Sequence, residues 1–136
     1  MKISELLSKI NNLPESLSGI NIALVGTLGA GKTHFVQELA AGSLGFLKDE
    51  ITSPSFSLIN HYSNSKIELF HVDLYRIEEA EELLEIGIYE ILENEKSLVF
   101  IEWADLFDEI LEMCQYIVYI SILDSGMRDY KFVKND

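Results

Sequence analysis

The eight residues Gly26-Thr27-Leu28-Gly29-Ala30-Gly31-Lys32-Thr33 constrain this chain more than any other stretch, because they fit G-x-x-x-x-G-K-S/T, a phosphate-binding loop. Ile20, Ile22, Ala23, Leu24 and Val25 make a short apolar run before it, and Phe35 to Ala41 continues after it with good helix formers. Strand, glycine loop and helix thus follow in the required order, and a plain glycine-rich turn would not need every fixed position filled. The glycines let backbone N–H groups face phosphate without side-chain clashes, and a helix starting near Lys32 adds its positive dipole end. Lys32 would then meet the β- and γ-phosphates, and the Thr33 hydroxyl Mg²⁺.

A length of 136 residues suits one domain with a core beneath a central sheet. The stretch from Met1 to Leu13 has no continuous apolar core and does not read as a signal peptide, and no segment approaches a membrane span. The single cysteine, Cys114, has no partner for an internal disulfide and fits a small buried residue of a cytoplasmic protein. The formal net charge of −13 repels a phosphate backbone, so direct nucleic-acid binding over a broad surface is not expected. Such a surface suits a basic protein partner or plain solubility alike.

In chain order, Ile3, Leu6, Leu7 and Ile10 predict an amphipathic helix over Met1–Asn12, ended by Leu13-Pro14. The helix after the glycine loop should run to about Ser43, stopped by Gly42 and Gly45. Thr52-Ser53-Pro54-Ser55-Phe56 opens a hydroxyl-rich loop leading to a strand that ends near Tyr62. Ser63-Asn64-Ser65 turns it back through Ile67, Leu69, Phe70 and Val72. That hairpin makes the sheet mixed. A helix from Glu78 to Glu93 should place Ala80, Leu83, Leu84, Ile88, Ile91 and Leu92 inward and break at Gly87, with its glutamates forming a solvated face. Leu98-Val99-Phe100-Ile101 reads as a central strand, Ala104–Met113 as one helix, and Tyr116–Leu123 and Tyr130–Val133 as strands.

Two of these strands end in acids, Asp73 and Glu102. One could hold Mg²⁺ and the other orient or deprotonate water; spacing alone does not assign them. Thr52 and Ser55 stand where other nucleotide hydrolases carry a switch segment, although an ordinary turn explains them equally well. His71 could bond Asp73 or a partner, with a satisfied structural histidine the favoured reading, and the three histidines have no metal-ligand spacing. Trp103 could stack on a base or face a partner, but by residue chemistry alone it reads as core.

Four separated motifs, Gly26–Thr33, Thr52–Phe56, His71-Val72-Asp73-Leu74-Tyr75-Arg76 and Ile101-Glu102-Trp103, together make the sequence resemble the bacterial TsaE family of tRNA threonylcarbamoyladenosine biosynthesis. The resemblance implies a three-layer α/β domain of the P-loop NTPase type, with a mixed, mostly parallel sheet and an antiparallel hairpin. It also implies an ATPase, weak alone, that binds ATP or ADP with Mg²⁺. That activity would support turnover of a TsaB–TsaD pair, in which TsaD modifies adenosine 37 of tRNA, so tRNA would be met only through the complex. Carried over by position, Gly26, Thr27, Leu28, Gly29, Ala30, Gly31, Lys32 and Thr33 cradle phosphate. Thr52 and Ser55 belong to a switch-like loop, Asp73 and Glu102 are the acidic pair beside Thr33, and Trp103 is functional rather than core. Thr27, Ser55 and Ala104 depart from the residues often found in the family, and Ser55 keeps the hydroxyl.

Rival readings remain. A small-molecule kinase would share the loop but needs arginines to clamp the phosphoryl group, and this chain has only Arg76 and Arg128. A GTPase would need an Asn-Lys-x-Asp-like segment, which is absent. A nucleotide-sensing module that never turns over would keep the same acids.

Overall fold

Apolar residues occupy both faces of the strand Ile20–Val25 (β1), so the sheet around it must be covered on both sides. The computed structural model describes residues 1–14, 16–26, 31–51 and 58–135. Within them β2 (Ile59–Ser63), β3 (Glu68–Asp73), β4 (Ser97–Glu102), β5 (Tyr116–Ile122) and β6 (Arg128–Lys134) join β1 in the order β2-β3-β4-β1-β5-β6. The inner four strands are parallel. The two edges, β2 on β3 and β6 on β5, are antiparallel. The mixed, mostly parallel sheet is therefore as expected, with a second hairpin at the far edge.

Helices α1 (Ile3–Asn11) and α2 (Lys32–Ser43) cover one face, packing Leu6, Ile10, Phe35 and Leu39 onto Ile22, Leu24, Phe100 and Val118. Phe35 meets Phe100 edge-on at 5.5 Å, which fixes α2 over β4. The opposite face carries α3 (Ala80–Glu85), α4 (Ile88–Glu93) and α5 (Asp108–Leu111), with Leu83, Ile88, Leu92 and Ile110 set on Ala23, Val99, Ile101 and Ile117. Every residue of β4 is buried, as befits a strand with helices above and below.

Several expectations change. Gly42 lies inside α2 rather than ending it; the reversal falls at Gly45, whose φ is 81°. Gly87, at φ 74°, does separate α3 from α4, but Leu84 is 70% exposed and Ala80 also faces solvent. The expected helix Ala104–Met113 is instead a 3-10 turn, Ala104–Leu106, followed by the short α5. Phe107 between them is extended, which turns its ring onto the core below the sheet while Leu106 faces water. No helix among the described residues is long and apolar enough to cross a membrane.

Candidate functional site at the carboxyl ends of the strands

Strand parity decides which side chains share the space above the strand ends. In the register of β3 with β4, His71 pairs Phe100 and Asp73 pairs Glu102. Alternation then puts His71, Asp73 and Glu102 on the face that Leu69, Leu98 and Phe100 share, the face covered by α2. Because α2 starts at Lys32, its first side chain meets the end of β4.

Lys32 is 5% exposed and Glu102 6%. Lys32 Nζ donates to the Gly26 carbonyl at 3.0 Å, stands 3.7 Å from Glu102 Oε1, and lies 4.4 Å from the centroid of the Trp103 ring. Glu102 Oε2 is 2.5 Å from Nε2 of the fully buried His71. Both carboxylate oxygens therefore have a partner, which is what a charge removed from water requires.

Asp73 completes the group from β3. Its Oδ1 accepts the Tyr75 N–H at 2.9 Å, and the Leu74 N–H donates to the Glu102 carbonyl at 3.1 Å, tying the two strand ends together. Burial raises the Asp73 pKa from its ordinary value. The Tyr75 N–H opposes that shift, the charge of Glu102 adds to it, and Lys32 and His71 offset it.

Trp103 is not core. It sits half-buried at φ 63°, the left-handed region that a tryptophan rarely adopts, with its ring over Lys32 and 5.1 Å from the Tyr75 ring. Trp103 Nε1 and His71 Nδ1 are buried and have no hydrogen-bond partner among the described residues. Thr33 follows Lys32 in the first turn of α2. Thr27, Leu28, Gly29, Ala30, Thr52 and Ser55 lie outside the described residues, whereas Gly26 and Gly31 flank the loop, Gly31 at φ 98°.

His71 bonds Glu102, not Asp73. Two-residue alternation along two paired strands carries that signal, but only once their register is known. The other histidines serve locally: His34 stands 4.0 Å from Glu38, and His61 stacks on Phe70 at 4.2 Å and meets Glu68 at 3.4 Å.

A family model described as "Threonylcarbamoyl adenosine biosynthesis protein TsaE" matches residues 2–130. The chain belongs to the TsaE family. Named TsaE relatives include one from Rickettsia felis, 35% identical over 124 residues that cover 90% of this chain and 71% of that protein. One from a Nostoc species is 46% identical over 96 residues, covering 68% and 58%. The TsaE of Aquifex aeolicus is 34% identical over 113 residues, covering 83% and 76%. The fold is also that of a crystal structure of Bacillus subtilis YdiB, with a TM-score of 0.63 over 98% of this chain and 81% of that one at 24% identity.

The residues present suit a phosphate with a hard cation. A lysine held by a carbonyl and a carboxylate can exchange both for phosphate oxygens at little desolvation cost. Among the described residues no three histidine, cysteine, aspartate or glutamate side chains cluster as a metal cage. Asp73 and Glu102 are the kind of donor that Mg²⁺ takes, one or two carboxylates with the rest of the shell from water and substrate phosphate.

Proposed function

We propose that this TsaE-family chain binds and hydrolyses ATP with Mg²⁺, as an auxiliary ATPase of tRNA threonylcarbamoyladenosine formation acting with TsaB and TsaD. Membership of the family supports the place in that modification. One observation carries the ATPase reading: Lys32, at the end of a phosphate-loop sequence, is buried against Glu102, with Asp73 in register beside it at the carboxyl ends of parallel strands. The negative charge of the chain disfavours tRNA as a direct ligand, so tRNA enters through the partners. A cytoplasmic location accords with a lone buried thiol.

On this reading Lys32 leaves Gly26 and Glu102 for the phosphates, which frees Glu102 to orient water, while His71 keeps the carboxylate aimed. Mg²⁺, held by Thr33 and through water by Asp73, would neutralise charge on the phosphate oxygens. Gly26 to Gly31, with Thr27, Leu28, Gly29 and Ala30, supply the backbone cradle; Thr52 and Ser55 sense the terminal phosphate. Trp103 caps the lysine. Without partners Glu102 is engaged on both oxygens, which accords with weak activity alone.

The same engagement favours a second reading, a nucleotide sensor that never turns over. Phosphate release from ATP separates the two when wild type and Lys32→Ala are assayed alone and with TsaB and TsaD. Slow release that rises with the partners and vanishes in Lys32→Ala is expected. Binding without release under every condition would favour the sensor, and release indifferent to the partners would break the link to them. Glu102→Ala should still bind ATP but not turn it over.

A further inference from the structure

His71 interrupts an apolar layer of the core. Two residues before it on the same face of β3 stands Leu69, and across from it on β4 stands Phe100, both fully buried. A hydrocarbon side chain would fill the same space with no polar group to satisfy. His71 instead brings two ring nitrogens, and only Nε2 has a partner, Glu102 Oε2 at 2.5 Å. Its Nδ1 is buried and has no hydrogen-bond partner among the described residues. A histidine kept for structure alone would be expected to satisfy both nitrogens. His71 leaves one unmet and makes a single bond, to a carboxylate of the candidate site, and such departures from the local rules of a core mark functional positions.

The two oxygens of Glu102 are held by unlike partners. Oε2 meets His71, which lies one step down the same face of the sheet, and Oε1 stands 3.7 Å from Lys32 Nζ. A carboxylate only accepts, so Nε2 carries the proton of its bond. The oxygens therefore fare differently when a triphosphate draws Lys32 away. Oε1 loses its partner, whereas Oε2 keeps one that is 0% exposed and has no route to the ligand. Without the histidine the pair would have no anchor in the core. The carboxylate could then follow the lysine toward the anionic ligand, or turn away from Asp73, whose charge stands beside it in the register.

We propose that His71 is a positioning residue of the ATPase site: by holding Oε2 it makes nucleotide binding break the Lys32–Glu102 pair instead of moving it, and so hands Oε1 from the lysine to the attacking water. The assignment rests on the ATP-hydrolysis reading above and adds to it which oxygen acts and in what order. Lys32 and the water use the same oxygen in turn, so Glu102 stays idle until the lysine has gone to the phosphates. In the step itself the water oxygen bonds to the γ-phosphorus, and the bond from that phosphorus to the β,γ-bridging oxygen breaks, its electron pair leaving with ADP. One proton of the water passes to Oε1 and on to solvent, and the other stays on the phosphate released. His71 touches none of the reacting atoms; it fixes the rotamer from which Oε1 meets the water.

Single-turnover phosphate release from ATP–Mg²⁺ and calorimetric binding of β,γ-imido-ATP–Mg²⁺, both with TsaB and TsaD present, test it. His71→Leu, which fills the space without a donor, should slow release about 100-fold and leave the affinity nearly unchanged. His71→Gln, whose amide nitrogen can stand where Nε2 stood, should recover most of the rate. Added to Glu102→Ala, His71→Leu should slow nothing further, because the histidine acts only through that carboxylate. Release at the wild-type rate in His71→Leu overturns the proposal, as does a loss that His71→Gln does not recover, or one that falls equally on affinity. Wild type gives a reading that needs no variant to fold. In NMR of protein isotope-labelled in its histidine rings, the Nε2–H of His71 should be protected from solvent exchange without ligand and stay protected with β,γ-imido-ATP–Mg²⁺. Loss of that protection on binding overturns the proposal whatever the variants do. If wild type releases no phosphate under any condition, the hydrolysis reading itself fails and the positioning role falls with it; release by wild type with the wrong outcome at His71 overturns the positioning role alone.

Discussion

Glu102 and Lys32 hold each other where water scarcely reaches, and that makes their removal informative. Breaking a buried pair leaves one charge uncompensated, at a cost of about 3–5 kcal/mol where nothing else receives it. Here Gly26 and the Trp103 ring still receive the lysine, so Glu102→Ala should cost about 2 kcal/mol without ligand. ATP, on the proposed reading, restores the partner, and the variant should recover in thermal melts more than wild type gains. Equal gains would mean that Lys32 does not move to the phosphates. Cys114 offers a second test. Burial pushes its thiol up to about 12, so the folded protein keeps the proton well above the ordinary thiol range. The unfolded chain releases it earlier, so this group adds stability below the unfolded pKa and loses it as pH rises toward 12. Native protein should therefore resist a thiol reagent at pH 8 that labels the urea-unfolded chain at once; rapid native labelling would contradict the burial of Cys114.

At the scale of elements, two exposed or half-exposed glycines should respond oppositely to alanine. Gly87 joins α3 to α4 at φ 74° with only Glu90 Oε2 near an added Cβ, at 3.6 Å, so the backbone alone sets the cost, about 1–2 kcal/mol. Gly42, helical and with nothing within 4 Å, should gain about 0.5–1 kcal/mol. Urea midpoints of the two variants decide both signs. The Gly87 break was legible because a glycine interrupting an acidic amphipathic pattern has few other uses. The Ala104–Met113 helix was misread for the converse reason: apolar spacing at Leu106, Phe107, Ile110 and Leu111 fits a helix, while the extended Phe107 is set by the core beneath it. Leu84 was misplaced because two short helices meeting at a left-handed glycine do not share one apolar face. The acids were legible from their strands, since an apolar run delivers its next residue to the sheet edge. The contact of His71 with Glu102 was not, because it depends on the register between two strands separated by two helices in the chain.

Across the whole molecule, a net charge of −13 on 136 residues opposes the compact state by self-repulsion, with many of the acids lying on exposed positions such as Glu78, Glu79, Glu81 and Glu85. Screening shortens from about 30 Å at 0.01 M salt to about 8 Å at 0.15 M, so repulsion spread over the surface should fade in that range while the buried Lys32–Glu102 pair is hardly touched. The melting temperature should accordingly rise between those two salt concentrations. Glu81→Gln with Glu85→Gln removes two exposed charges without touching a described hydrogen bond, and should both raise the melting temperature at low salt and flatten its rise. A wild-type melting temperature indifferent to salt would mean that the acids are spaced too widely to repel one another. If the rise is instead equal in both proteins, it comes from salt acting on apolar hydration and not on these charges, and the acidic face of α3 contributes nothing to the strain of the folded state.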